Sequence, residues 1–172
     1  MSVLGIDEIT FAATDLPRCK QFFSDWGMAL VTESAQEMVF ETLNGCRVIV
    51  ADPARAGLPP GVEADPTVRE VVWGVQDETD LHRYSEAMRS QPGFVAEDGR
   101  VGCTDPNGLS IRVQVTKKRP VQLESAKTNT WSERTRINAP SPAYDRATPV
   151  EVGHVVFFVK DLAAVTRFYE EK

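Results

Sequence analysis

Histidine is the scarcest of the side chains able to do chemistry in this chain. His82 and His154 are the only two, so no usable Ser-His-Asp set can be assembled. His154 follows Gly153 at the start of an apolar run, where a metal ligand or a structural histidine could sit. His82 stands beside Arg83 in a segment of helical spacing and reads as a solvated surface residue. Two carboxylates, Glu8 and Glu70, occur in similar apolar strands, Glu8-Ile-Thr-Phe and Glu70-Val-Val-Trp. As a pair they could serve acid–base chemistry or hold a metal weakly. They could also be ion-paired with Arg112, since buried charges need partners, or be ordinary surface charges. Three cysteines, Cys19, Cys46 and Cys103, are an odd number without metal-type spacing. They read as reduced thiols of a cytoplasmic protein. No glycine-rich phosphate loop follows a strand.

The elements that must carry these residues repeat along the chain. Glu8-Ile-Thr-Phe-Ala-Ala-Thr-Asp15-Leu16 matches His154-Val-Val-Phe-Phe-Val-Lys-Asp161-Leu162, and Phe22-Phe23 then falls on Phe168-Tyr169. Each is a short apolar strand closed by an aspartate where a helix N-cap belongs. A fainter copy, Glu70-Val-Val-Trp-Gly-Val-Gln-Asp77, precedes a helix with Leu81, Tyr84, Ala87 and Met88 at helical spacing. Three short strands follow each of the first two helices: 29–33, 38–42 and 47–51, then 94–96, 101–104 and 110–115. Asn44-Gly45 and Asp105-Pro106-Asn107-Gly108 supply the turns. The order strand, helix, three strands therefore occurs twice, joined by the Pro- and Gly-rich segment 52–68. Phe11, Phe22, Phe23, Phe40 and Trp73 are assigned to the core.

Three parts follow: a complete module at 1–116, a linker arm at 117–149, and the opening strand and helix of an incomplete second module at 150–172. The arm carries Lys117-Lys118-Arg119-Pro120 and Ala139-Pro140-Ser141-Pro142, and Trp131 and Tyr144 are candidates to pin it to a surface. The net charge of −6 and the lack of a basic, aromatic-rich surface give nucleic acid no footing. The longest apolar stretch, Val155 to Val159, is too short for a bilayer.

A doubled strand-helix-three-strand unit, with strand-Asp-Leu-helix openings and the Asp105-Pro106-Asn107-Gly108 turn before a last strand, resembles the vicinal oxygen chelate superfamily. That group includes glyoxalase I, bleomycin-resistance proteins and type I extradiol dioxygenases. The resemblance implies an α+β fold: paired βαβββ units forming one curled mixed sheet with outer helices. It also implies metal ligands on the opening strand of each half and on the last strand. Those positions are Glu8, Glu70 and Arg112 here. A fixed guanidinium at a ligand position argues against a metal, so no cofactor is expected in the first module, and the three residues are expected as an ion-paired remnant in its concavity. Gly153-His154 matches the first histidine ligand of a catalytic second module. Its other ligands and catalytic residues would lie beyond Lys172, in a parent of about 260 residues or more by the repeat spacing.

The resemblance thus implies part of a metal-dependent extradiol-type dioxygenase of aromatic compound catabolism. Fe(II) is expected in the complete second module, with a catechol-like aromatic and dioxygen as partners, and this chain alone is expected to be inactive. The alternatives are a non-catalytic small-molecule-binding or resistance protein of the same fold, or a glyoxalase-type isomerase or lyase. The apolar faces of the second unit, Val155, Phe157, Val159, Phe168 and Tyr169, must dock on the first module, pair with another copy in a homo-oligomer, or meet further chain. The last is the favoured expectation.

Overall fold

The structure is a computed structural model that describes residues 2–64, 66–122, 143 and 145–171. Trp131 and Tyr144 lie outside the described residues. The first half runs β1 (Val3–Ala12), α1 (Leu16–Asp25), β2 (Ala29–Glu33), β3 (Glu37–Glu41) and β4 (Arg47–Ala51). The second runs β5 (Thr67–Val75), α2 (Glu78–Met88), β6 (Val95–Glu97), β7 (Arg100–Thr104) and β8 (Ser110–Val115). The eight strands form one sheet in the order β2-β3-β4-β1-β5-β8-β7-β6. β1 pairs parallel to β4, β5 pairs parallel to β8, and β1 meets β5 antiparallel at the centre. The two halves are therefore the same unit turned about a pseudo-two-fold between β1 and β5.

Local chemistry explains the helices. Asp15 and Asp77 cap α1 and α2: their Oδ1 atoms accept from the backbone N–H of Arg18 and Asp80, each at 3.0 Å. Each cap satisfies a donor that the helix itself leaves without a partner. α1 lies against β3 and β4, and α2 against β7 and β8. Both cover the same side of the sheet, where Ile9, Phe40, Val48, Val71, Ile111 and Val113 are buried with Leu16, Leu81, Tyr84 and Met88. Phe22 departs from the core assignment: it is 52% exposed, whereas Phe23 packs against the core. Helical geometry is the cause. Seven residues from Leu16 bring the chain back to within about 20° of its starting face, and six do not. Phe11 and Trp73 are half-buried against the core, and Phe40 is fully buried.

The second unit differs from expectation at its strand. Residues 151–159 form no ladder, because a strand needs a neighbour to take up its backbone hydrogen bonds and none pairs with it among the described residues. The helix does form, as α3 (Leu162–Glu171), with Asp161 Oδ1 accepting from the N–H of Ala164 at 3.0 Å. The segment docks on the helix-bearing side of the first module. Leu43 and Asn44 donate their N–H groups to the carbonyls of Pro149 and Val150, both at 3.0 Å. Val152, Val155 and Phe157 pack on the core, and Phe168 is buried. Asn107 Nδ2 donates to the Phe158 carbonyl at 3.2 Å, and Tyr169 Oη donates to Asp105 Oδ2 at 3.1 Å. Val156 and Phe158 remain 80% and 88% exposed, so docking on the first module satisfies only one side of the segment.

Candidate functional site

Side chains alternate across a strand, and β1 shows the consequence. Ile9 and Phe11 face the helices, while Glu8 and Thr10 face the opposite, concave side. A cleft of about 440 Å³ lies there, with Glu8, Glu70 and Arg112 all in its wall. Arg55, Gly57, Leu58 and Pro59 of the inter-half segment also line it, as do Glu97 at the end of β6 and Asp98 after it. Glu8, Glu70, Glu97 and Asp98 stand against Arg55, Arg100, Arg112 and Lys117 in this lining, so its formal charges cancel.

Within the cleft the carboxylates are committed. Glu70 sits beside Ser110 in the β5–β8 register, with Arg112 two residues further along the same face. Its Oε2 accepts from Ser110 Oγ at 2.8 Å and from Arg112 Nε at 3.2 Å. Glu8 has a different partner. Both of its oxygens accept from Arg100 Nη2 at 2.8 Å. The sequence reading grouped Glu8 with Arg112; the structure gives it Arg100 instead. Two strands, β5 and β8, separate Arg100 on β7 from Glu8 on β1. On a flat sheet that is three strand spacings, about 14 Å. Only a strongly curled sheet closes the gap, and no local signal in the sequence marks Arg100.

Room for Arg112 is built into the neighbouring strand. Gly102 is its register partner on β7, and a Cβ there would strike the Ile111 carbonyl and lie 2.5 Å from Arg112 Cδ. Sequence reasoning also missed Asp7, at a register shift in the β1–β5 ladder. Its buried carboxylate accepts from Gln114 Nε2 at 2.9 Å, Thr116 Oγ1 at 2.8 Å and the Lys117 N–H at 3.0 Å. Asp7 thereby ties the centre of the sheet to the chain leaving β8.

His154 is not part of this constellation. It is exposed, and lines a cleft of about 480 Å³ with Ile9, Phe11, Phe23 and Trp26, on the opposite side of the sheet from Glu8. His82 is exposed on α2. Cys19, Cys46 and Cys103 are free thiols; burial, with the nearby Asp105 charge, pushes the Cys103 thiol up to about 11. No group of three His, Cys, Asp or Glu side chains among the described residues is placed to hold a metal ion. Glu8 and Glu70 do not fit one: a divalent cation between them would have to displace two guanidinium groups already bonded to them.

No family model matches the chain, and no curated protein matches it. Solved structures do. A catechol 2,3-dioxygenase superposes with a TM-score of 0.63 at 13% identity, over 96% of this chain and 54% of the other. BphC, a halotolerant catechol dioxygenase, gives 0.63 at 15% identity, over 98% and 54%. This chain has the vicinal oxygen chelate fold. An extradiol ring-cleaving dioxygenase from B.fuscum matches less of it, with a TM-score of 0.51 at 13% identity over 69% of this chain and 34% of the other. At such identities the shared property is the fold. The chain spans about half the length of the two catechol dioxygenases. Within the vicinal oxygen chelate arrangement, Glu8 and Glu70 take corresponding places on the two central strands.

Proposed function

We propose that this chain supplies the non-catalytic first module, and the opening of a catalytic second module, of an Fe(II)-dependent extradiol-type dioxygenase of the cytoplasm. Its substrates would be a catechol-like aromatic and dioxygen. The observation that carries the reading is the commitment of the two carboxylates in the first cleft: Glu8 and Glu70 are each held by an arginine, which fits a module whose partner carries the chemistry. The repeat supports it, because His154 stands where Glu8 stands in the first unit. His154 is then one ligand of the iron, which would bind the two adjacent substrate oxygens and activate dioxygen. The chain's own contribution would be to hold the segment that carries that histidine, through the hydrogen bonds of Pro149, Val150 and Glu151 with Leu43 and Asn44.

The test is dioxygen uptake with catechols and added Fe(II). The 172-residue chain should show none, and a parent carrying both modules should show it. His154→Ala in that parent should abolish both uptake and iron retention; full activity in that variant would remove His154 from the site. The polar cleft of the first module favours a second reading, a small-molecule-binding protein of the same fold. Aromatic acids bound by the parent without any dioxygen consumption would select it.

A further inference from the structure

Two hairpin turns of the first module are copies of each other. One joins β3 to β4 and the other joins β7 to β8. Thr42 and Asp105 donate their N–H groups to the carbonyls of Cys46 and Leu109, both at 2.9 Å. Gly45 and Gly108 close the turns with φ of 90° and 93°, which glycine adopts without strain. Asn44 and Asn107 therefore hold the same place. Because β1 and β5 run antiparallel, the two turns lie at opposite ends of the sheet. The segment with His154 near its middle is bonded to both. Each asparagine donates Nδ2 to it at 3.2 Å: Asn44 to Glu151 Oε2, and Asn107 to the Phe158 carbonyl.

The turns differ in what braces them. In the first, Asn44 Oδ1 accepts from the Cys46 N–H at 3.1 Å. In the second, Asp105 Oδ1 accepts from the equivalent Leu109 N–H at 2.8 Å. That leaves Asn107 Oδ1 free to accept from the Lys160 N–H at 3.3 Å. Among the described residues, the Asn107 side chain bonds nothing in its own turn. Its amide takes the carbonyl of residue 158 and the N–H of residue 160, the two groups that a parallel neighbour of Val159 would take. We propose that the two turns form a two-point clamp on the segment that carries His154, with Asn107 as its dedicated positioning residue. Two anchors on one segment reinforce each other, because the first holds the second close to its partner. The bearing of the clamp on catalysis rests on the reading of His154 as an iron ligand. The clamp itself does not, so either can fail while the other stands.

The experiment uses the 172-residue chain without metal, as wild type, Asn107→Ala and Asn107→Asp, followed by NMR and amide exchange. His154 shares a cleft with the rings of Phe23 and Trp26, so its ring resonances report on docking. His82, the other histidine, is the internal control. In Asn107→Ala the His154 resonances should move toward those of an unstructured histidine, with His82 unmoved. Exchange of the α3 amides should rise about tenfold, since a ten-residue helix that loses its docking is marginal. The Gly108 and Leu109 amides should exchange as in wild type, because Asp105 still braces the turn. Asn107→Asp keeps the acceptor and lacks the donor, and should release the segment at least as far. The proposal is overturned if His154 and α3 behave as in wild type in Asn107→Ala, or if Asn107→Asp stays as tight as wild type. Loosening of Gly108 and Leu109 to the same degree as α3 overturns it too, as does a variant that fails to fold, since Asn107 would then serve its own turn or module.

Discussion

Replacing Arg100 by Met tests whether the curled sheet is held closed by charge. Arg100 Nη2 makes two 2.8 Å bonds to Glu8, whose side chain is 6% exposed, while that of Arg100 is 29% exposed. Removing one partner of a fully buried pair costs about 3–5 kcal/mol, chiefly because a charge is left buried alone. Water entering through the cleft can reach the space Arg100 vacates, which brings the cost below that range, to about 2–3 kcal/mol. For a chain of this size that corresponds to a melting temperature lower by roughly 5–10 °C. Glu8→Gln should cost less, about 1 kcal/mol, because the half-exposed arginine can turn to water and keeps a neutral acceptor. The double variant should then be more stable than the sum of the single losses predicts, with a coupling of about 1.5 kcal/mol or more. Urea unfolding followed by tryptophan fluorescence measures all three. A coupling below about 0.5 kcal/mol would show that the pair adds no more than a surface salt bridge, and the closure argument would fail.

Other consequences are simpler to state. Asp105 is buried, with Oδ1 accepting from the N–H groups of Asn107 at 2.9 Å and Leu109 at 2.8 Å; Asp105→Ala should destabilise the chain by about 3 kcal/mol in urea unfolding, and Asp105→Asn by clearly less. The Tyr169 hydroxyl is raised above its ordinary value, first by burial and then by the Asp105 charge that accepts its proton. A folded-state value above the unfolded one means stability present below about pH 10 and lost as pH rises beyond it. Tyr169→Phe should lower stability at neutral pH by about 1 kcal/mol and flatten the alkaline decline; an unchanged decline would assign it instead to Tyr84, Cys19 and Cys103, which are also raised. Under native conditions a disulfide exchange reagent should modify Cys19 before Cys46 or Cys103, because the latter two are buried; peptide mapping after short exposure checks the order.

The sequence by itself determined the local units, because their causes are local. An aspartate before an apolar stripe caps a helix whatever surrounds it, so Asp15, Asp77 and Asp161 marked three helix starts. Asn44-Gly45 and Asp105-Pro106-Asn107-Gly108 marked turns by their own backbone preferences. The spacing of the repeats carried the doubled unit, and strand alternation put Glu8 and Glu70 on one face. What depended on distant partners was illegible. Val155 to Val159 has strand chemistry, but a strand exists only beside another, and the described residues offer it none. Arg100 is a hairpin arginine like many others until the sheet curls far enough to bring β7 over β1. The identity of the cation at Glu8 was therefore decided by the tertiary structure, because curvature accumulated over four strands sets that distance and no run of neighbouring residues encodes it.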